Sequence, residues 1–124
     1  MTIGEALAHL ETSDFRRRFH LSEQEKAYVR EKGMDTIRLH AADFVERRLA
    51  PAVIPNDVRQ TPMRGHPVFV AQHGCACCCR GCLQKWYGIP PGRQLTAQQQ
   101  QGIVNLLMAW IRHQMEEIEK DPCR

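Results

Sequence analysis

The spacing of apolar positions along the chain predicts a protein built mainly from α-helices. Near the N-terminus the apolar residues fall on one helical face: Ile3, Leu7 and Leu10. Thr2 and Glu5 have the spacing of a capping box, in which each side chain accepts a hydrogen bond from the other residue's backbone N–H. The first helix is therefore expected from Thr2 to about Glu11.

A second helix is predicted between a polar start and a glycine stop. Ser22 and Glu25 form another capping box, which opens the helix. Gly33 is suited to end it after Lys32, because glycine adopts the backbone conformations that follow a helix at little steric cost.

A third helix is predicted from near Asp35 to a point before Pro51. Its apolar residues form one stripe: Ile37, Ala41, Phe44, Val45 and Leu49. His40 lies beside this stripe, where a histidine is more often a core or boundary residue than a ligand.

The segment from Ala50 to Pro67 is predicted to be a long ordered loop, since it contains four prolines. Four apolar residues are expected to anchor this loop on the core: Val53, Ile54, Val58 and Met63. The run Pro67-Val68-Phe69-Val70 has the composition of a short strand, which needs a partner segment to form a sheet.

The C-terminal half is predicted to hold two more helices. The cysteine-rich segment becomes helical as far as Trp86 or Tyr87, and Thr96 caps the last helix. That last helix carries a long apolar face: Ile103, Leu106, Leu107, Trp110, Ile111, Met115 and Ile118. The expected fold is a single mainly α domain over residues 1–124. It is a compact bundle of four to five helices with at most a short strand pair.

Composition places the chain among ordinary globular proteins. Its length of 124 residues suits one domain, and 43% of residues are hydrophobic and 25% charged. No apolar run approaches the roughly 20 residues that a membrane span needs, and the N-terminus lacks the features of a secretory signal. A cytoplasmic location is therefore expected. In that reducing compartment, clustered cysteines indicate metal binding or catalysis more readily than disulfides.

The residues that suggest chemistry lie between positions 66 and 86. Five of the six cysteines fall within eight residues: Cys75, Cys77, Cys78, Cys79 and Cys82. His66 and His73 stand just upstream. Zinc takes about four sulfur or nitrogen ligands in a tetrahedron. The predicted ligands are Cys78, Cys79 and Cys82 with one histidine, either His73 or His66.

Other chemistries remain open for the same segment. An iron–sulfur cluster is less favoured, because its usual cysteine spacings are absent, whereas copper(I) also suits thiolates. A cysteine-dependent enzyme or thiol redox protein would use Cys79 and Cys82, with His73 or His66 beside the nucleophile. Buried cysteines without any ligand are a third interpretation.

A surplus of positive charge surrounds the cysteines. Residues 47–93 contain seven cations and one acid, and Arg64, Arg80 and Lys85 are the candidate anion-binding residues. Nucleic acid is the first candidate partner for such a field, although the cations could equally neutralise thiolates. The triplet at Arg16, Arg17 and Arg18 is expected to be solvated surface between two aromatic anchors.

The sequence also resembles a family of small bacterial proteins known as a domain of unknown function, number forty-one eighty-six. The resemblance rests on four runs: IRLHAADFVERRLAPA (37–52), QTPMRGHPVFVAQH (60–73), CCRGCLQKW (78–86) and IPPGRQLT (89–96). It implies that Cys78, Cys79, Cys82, His66 and His73 match the family pattern. The family tends to have threonine at the positions of Cys75 and Cys77 and histidine at that of Tyr87, which puts those two cysteines in doubt as ligands.

Overall fold

A computed structural model of the chain describes residues 2–55 and 61–120, with side chains described as far as residue 116. Six α-helices occur in this part of the chain: α1 Ile3–Glu11, α2 Glu23–Lys32, α3 Met34–Phe44, α4 Pro67–Gly74, α5 Arg80–Tyr87 and α6 Ala97–Lys120. The described residues also form a 3-10 turn at Arg16–Arg18 and a π-helical turn at Val45–Leu49. The mainly α class is confirmed, with more helices than expected and no strand in the described residues.

Helix α6 organises the core. It packs against α1, α3, α4 and the π-helical turn. The predicted apolar face of α6 supplies buried residues, among them Leu107 and Ile111, which are fully enclosed; the side chain of Ile118 lies outside the described set. Ile37, Leu49 and Leu83 come from the surrounding elements and are equally enclosed. The helical periodicity of the sequence therefore identified the buried face correctly.

Local capping fixes where the helices begin. Three pairs of side chains exchange hydrogen bonds with each other's backbone N–H groups: Thr2 with Glu5, Ser22 with Glu25, and Thr96 with Gln99. Each pair satisfies N–H groups at the first turn that no helical carbonyl can reach. The predicted starts of α1, α2 and α6 are confirmed.

The predicted strand at Pro67–Val70 is wrong, because these residues form the start of α4. Pro67 occupies the first helical turn, where its missing N–H costs nothing, and the His66 side chain accepts the N–H of Val68 at 3.0 Å. Val68 and Val70 are both buried. A short helix that is buried on several sides shows the same uninterrupted apolar run as a buried strand.

The loop after residue 50 is held by polar contacts instead of the predicted apolar anchors. Val53 is 83% exposed and Met63 is 52% exposed, so the expectation that they pack on the core is wrong. Ile54 is half-buried, and Val58 lies outside the described residues. Exposed apolar side chains cannot contribute the burial energy that anchoring requires.

Arg80 is the residue that ties this loop down. Its side chain is buried, and its guanidinium donates to the carbonyls of Leu49, Ala50 and Pro51 on one side. On the other side it donates to the carbonyls of Pro90 and Arg93, at 2.9 and 2.7 Å. The planar fork of arginine suits such convergent carbonyls. The Arg80 side chain thus links residues 49–51, where the loop begins, to residues 90–93, which follow α5.

None of the described helices combines the length and the apolar character that crossing a membrane requires.

A matched pair of glycine substitutions tests the packing of α4 on α6. A Cβ atom at Gly74 would lie 2.8 Å from the Trp110 indole, whereas one at Gly102 would meet nothing within 4 Å. Gly74→Ala should lower the free energy of unfolding by about 1–3 kcal/mol through overpacking. Gly102→Ala should raise it by about 0.5–1 kcal/mol, since alanine loses less backbone entropy in a helix. Urea denaturation measures both, and an unchanged stability for Gly74→Ala would contradict this packing.

Candidate metal centre

Three thiols converge where α5 begins. The sulfur atoms of Cys78, Cys79 and Cys82 all lie within 4.8 Å of one another. The Cys82 sulfur is 3.5 Å from that of Cys78 and 3.3 Å from that of Cys79. All three cysteines are free thiols. Three of the five predicted ligands are therefore brought together.

The backbone around α5 places these sulfurs. Cys79 is the extended residue that caps α5, and its sulfur accepts the N–H of Cys82 at 3.3 Å. Cys82 follows one helical turn later and therefore returns to the same side. Before Cys79 the chain reverses through Ala76, whose φ of 57° lies in the left-handed region. This tight reversal turns the chain from the end of α4 back toward the start of α5.

Cys75 and Cys77 belong to the core and lie outside the group of three thiols. Both are fully buried, and burial raises the pKa of each thiol. The Tyr87 hydroxyl donates to the carbonyl of Cys75, which fixes the backbone there. These two residues therefore behave as small apolar side chains.

Arg16 contacts the thiols directly. Its Nη2 lies 3.2 Å from the Cys82 sulfur, and its Nη1 lies 3.8 Å from the Cys78 sulfur and 2.7 Å from the His73 carbonyl oxygen. The expectation of a solvated triplet holds for Arg17 and Arg18 but is wrong for Arg16, which is 9% exposed. With three residues per turn, a 3-10 turn directs consecutive side chains to different sides, so one of the three faces the protein.

The pKa values of the Cys78 and Cys82 thiols shift in opposite directions. The hydrogen bond between the Cys78 and Cys82 sulfurs lowers the pKa of Cys78 and raises that of Cys82. Burial opposes the lowering at Cys78, and the positive charge of Arg16 supports it. Of these two thiols, Cys78 therefore loses its proton more readily than Cys82, and the thiolate is the form that binds metals or attacks electrophiles.

His73 lies beside this cluster but outside the group of three thiols. Its Nε2 is 3.0 Å from the Thr61 carbonyl oxygen, and its ring stacks on Phe19 at 5.5 Å. Thr61 in turn donates its hydroxyl to the Cys78 carbonyl at 2.8 Å. His73 and Thr61 together connect the far end of the long loop to the backbone of the cysteine segment.

His66 pairs with another histidine instead of a thiol. Its Nδ1 accepts the N–H of Val68, so that nitrogen carries no proton, and its Nε2 lies 3.0 Å from His40 Nδ1. The neutral ring must therefore donate from Nε2 to His40. Burial, reinforced by repulsion from His40, lowers the pKa of His66 to about 4. The ring is held neutral as the cap of α4.

The predicted anion-binding residues divide into two kinds. Arg64 and Lys85 are exposed, whereas Arg80 is buried among the backbone carbonyls described above. The geometry of Arg80 assigns it to holding loops together. Arg64 and Lys85 are the two whose side chains face solvent.

The comparison with known families decides the relationship that the sequence motifs indicated. The model of a domain of unknown function (DUF4186) matches residues 4–112. The chain belongs to this DUF4186 family. The match includes nearly all of α1, the whole of α2 to α5, the three clustered thiols and Arg16. No solved structure matches the chain.

In this DUF4186 chain the three clustered thiols could hold a metal ion. Cys78 and Cys79 are buried, whereas Cys82 is partly exposed to solvent. A cation and the N-terminus of α5 both favour negative charge there. Three sulfurs within one ion's reach can hold a metal.

The His66 cap gives the stability of the protein a defined pH dependence. The ring binds a proton near pH 6.5 when unfolded but only near pH 4 when folded, so stability is full above about pH 6.5 and falls as the pH drops toward 4. The loss should be on the order of 1–2 kcal/mol after solvent screening. His66→Asn should remove this component, since asparagine caps helices without titrating. Urea denaturation of both proteins between about pH 7 and pH 4.5 measures it; identical pH profiles would contradict the assignment.

Proposed function

We propose that this protein binds a thiophilic metal ion, with zinc as the first candidate, through Cys78, Cys79 and Cys82. The observation that carries the proposal is the spacing of the sulfurs. Zinc–thiolate bonds of about 2.3 Å in a tetrahedron place two sulfurs about 3.8 Å apart. The sulfur separations of 3.3 and 3.5 Å come close to this value before any adjustment. The third separation, between the Cys78 and Cys79 sulfurs, is within 4.8 Å, so all three sulfurs lie within reach of a single ion.

The surroundings of the sulfurs also suit a metal thiolate. The N–H of Cys82 points at the Cys79 sulfur, and such contacts orient ligands and stabilise their charge. With three thiolates from the protein, the fourth place in a zinc tetrahedron would be left to another ligand such as water. Copper(I) accepts sulfur ligands as well. An iron–sulfur cluster remains less favoured on the spacing of the cysteines.

In this proposal His66 and His73 do not bind the metal; they hold the backbone segments that carry the cysteines. His73 bonds to the carbonyl of Thr61, whose hydroxyl holds the Cys78 backbone. His66 caps the helix that leads into the cysteine segment. The metal would then have a mainly structural role, joining the start of α5 to the loop and to the 3-10 turn.

Metal content and folding test the proposal. Protein purified without added metal or an affinity tag should carry about one zinc per chain, and Cys79→Ser and Cys82→Ser should each lose it. Cys77→Ala should keep the metal, because Cys77 lies outside the group of three thiols. Elemental analysis with circular dichroism measures both metal and fold. A metal-free wild-type protein, or equal loss in Cys77→Ala with its fold intact, would contradict the proposal.

We further propose that the exposed cations around the site bind an anionic partner, nucleic acid first. Among the described residues between 47 and 93, four arginines and lysines are exposed and make no ion pair with a described acid: Arg48, Arg64, Lys85 and Arg93. Arg47 is also exposed but pairs with Asp43 at 2.8 Å. Phosphate contacts by such side chains make affinity fall steeply with salt.

Double substitution tests this partner. Arg64→Gln with Lys85→Gln should weaken binding to a fluorescent oligonucleotide and reduce the salt slope by roughly one unit for each phosphate that the protein no longer neutralises. Arg17→Gln is the control, since Arg17 is engaged with Asp14 at 2.8 Å. Fluorescence anisotropy at several salt concentrations measures the effect. Absence of oligonucleotide binding by the wild-type protein would contradict a nucleic-acid partner.

The separation of Cys79 and Cys82 supports a second candidate, a thiol redox or cysteine-dependent enzymatic function. Their sulfurs lie 3.3 Å apart in a C-x-x-C unit at the start of a helix. A disulfide bond needs a separation of about 2.05 Å, so modest movement would allow the bond to form once a two-electron oxidant accepts the electrons and both thiol protons are released. Metal-free protein with a measurable Cys79–Cys82 disulfide potential in the range of known oxidoreductases would favour this function over zinc.

A further inference from the structure

Arg16 is a buried cation without a carboxylate partner in the described part of the chain. The ion pairs found there involve other side chains, and the adjacent Arg17 pairs with Asp14 at the surface. Buried charges in proteins are normally paired or bound to a metal site. The partners of Arg16 are two cysteine sulfurs and one carbonyl oxygen. Only the sulfurs can supply the compensating negative charge.

The position of Arg16 is fixed from several directions. The His73 carbonyl accepts from Nη1 at 2.7 Å, and Phe15 lies against the guanidinium with 5.0 Å between its ring centroid and Cζ. The Ser13 hydroxyl accepts the Arg16 backbone N–H at 3.2 Å. These contacts hold the guanidinium beside the thiols and leave its second nitrogen directed at Cys82.

We propose that Arg16 is a positioning residue whose buried guanidinium, with Nη2 3.2 Å from the Cys82 sulfur and Nη1 3.8 Å from the Cys78 sulfur, supplies the counter-charge of the three-cysteine metal site. The inference rests on the proposed metal function and deepens it. Three thiolates around a divalent ion carry one net negative charge, and one guanidinium at their edge neutralises it. The complete site is then electrically neutral, which lowers the cost of its burial.

The same contact links the N-terminal segment to the state of the site. Arg16 lies in the 3-10 turn that joins α1 to the rest of the chain, and this turn packs on α4. A bound ion preserves the thiolates that hold Arg16, and Arg16 in turn favours the bound ion. Such coupling is reciprocal by thermodynamic necessity.

Cobalt(II) titration of three variants measures whether the charge of Arg16 or the geometry of its guanidinium contributes to metal affinity. Arg16→Gln keeps a polar group but removes the charge, Arg16→Lys keeps the charge but loses the fork, and Arg17→Gln is the matched neighbour. Affinity is read from the sulfur-to-cobalt charge-transfer band, and circular dichroism of the metal-free proteins checks their folds. Arg16→Gln should weaken binding by about 10- to 100-fold. Arg16→Lys should lose clearly less, and Arg17→Gln should match the wild-type protein.

Two results would overturn the inference while leaving the metal function in place. One is a folded Arg16→Gln protein that binds cobalt as tightly as the wild-type protein. The other is an Arg16→Lys protein that is as weak as Arg16→Gln. Should Arg16→Gln lose its fold, Arg16→Lys decides alone: retained affinity supports the counter-charge, and a loss of about tenfold or more overturns it.

Metal-free thiol reactivity separates this inference from the proposed function. If the wild-type protein takes up no cobalt, the proposed metal function fails, and the role of Arg16 is read from alkylation by iodoacetamide at neutral pH. Thiolates react and thiols do not. Slower alkylation of the three clustered cysteines in Arg16→Gln, mapped by mass spectrometry, supports the counter-charge, and an unchanged rate overturns it.

Discussion

The structure depends on satisfying the backbone of one buried connection, residues 75–79, which lies between α4 and α5. Every residue from 70 to 80 is buried, yet this connection has no helix of its own to pair its polar groups. Other residues supply the partners: Gln72 and Thr61 donate to the carbonyls of Cys77 and Cys78, and Tyr87 donates to that of Cys75. Unpaired groups at this depth would each cost about 1–3 kcal/mol. The cysteine sulfurs are therefore held on a rigid backbone.

Two buried arginines, Arg80 and Arg16, connect the cysteine segment to distant parts of the chain by different kinds of hydrogen bond. Arg80 donates to five backbone carbonyls and fastens the chain on either side of the loop and of α5. Arg16 donates to sulfurs and thereby brings the 3-10 turn onto the site. A guanidinium is weakly hydrated and carries five donors, so it suits both tasks better than lysine would. The positive charge near the cysteines is thus partly internal, which reduces the share that is exposed to a partner.

The sequence patterns predicted the parts of the fold that local interactions determine. Capping pairs and helical apolar stripes act within a few residues, so the starts of α1, α2 and α6 and the buried face of α6 could be read directly. Helix α4 could not, because a short segment buried on several sides has no amphipathic period. The C-x-x-C spacing and the preceding Cys78 likewise identified the thiol group, since their convergence is local to the start of α5.

The remaining features depend on contacts between distant parts of the chain. Arg16 lies 66 positions from Cys82 and Arg80 lies 31 from Leu49, and no local pattern distinguishes these arginines from exposed ones. Closeness in sequence to the cysteines predicts His66 and His73 as ligands, but their rings contact His40 and Thr61. Capping by a histidine was the local clue, because His66 directly precedes a proline at the first helical turn.

X-ray absorption spectroscopy of the zinc-loaded protein tests most directly whether three sulfurs of this chain share one metal ion. We expect three sulfur scatterers at about 2.3 Å and one lighter atom at about 2.0 Å. A first shell made mainly of nitrogen and oxygen, with one sulfur or none, would contradict it.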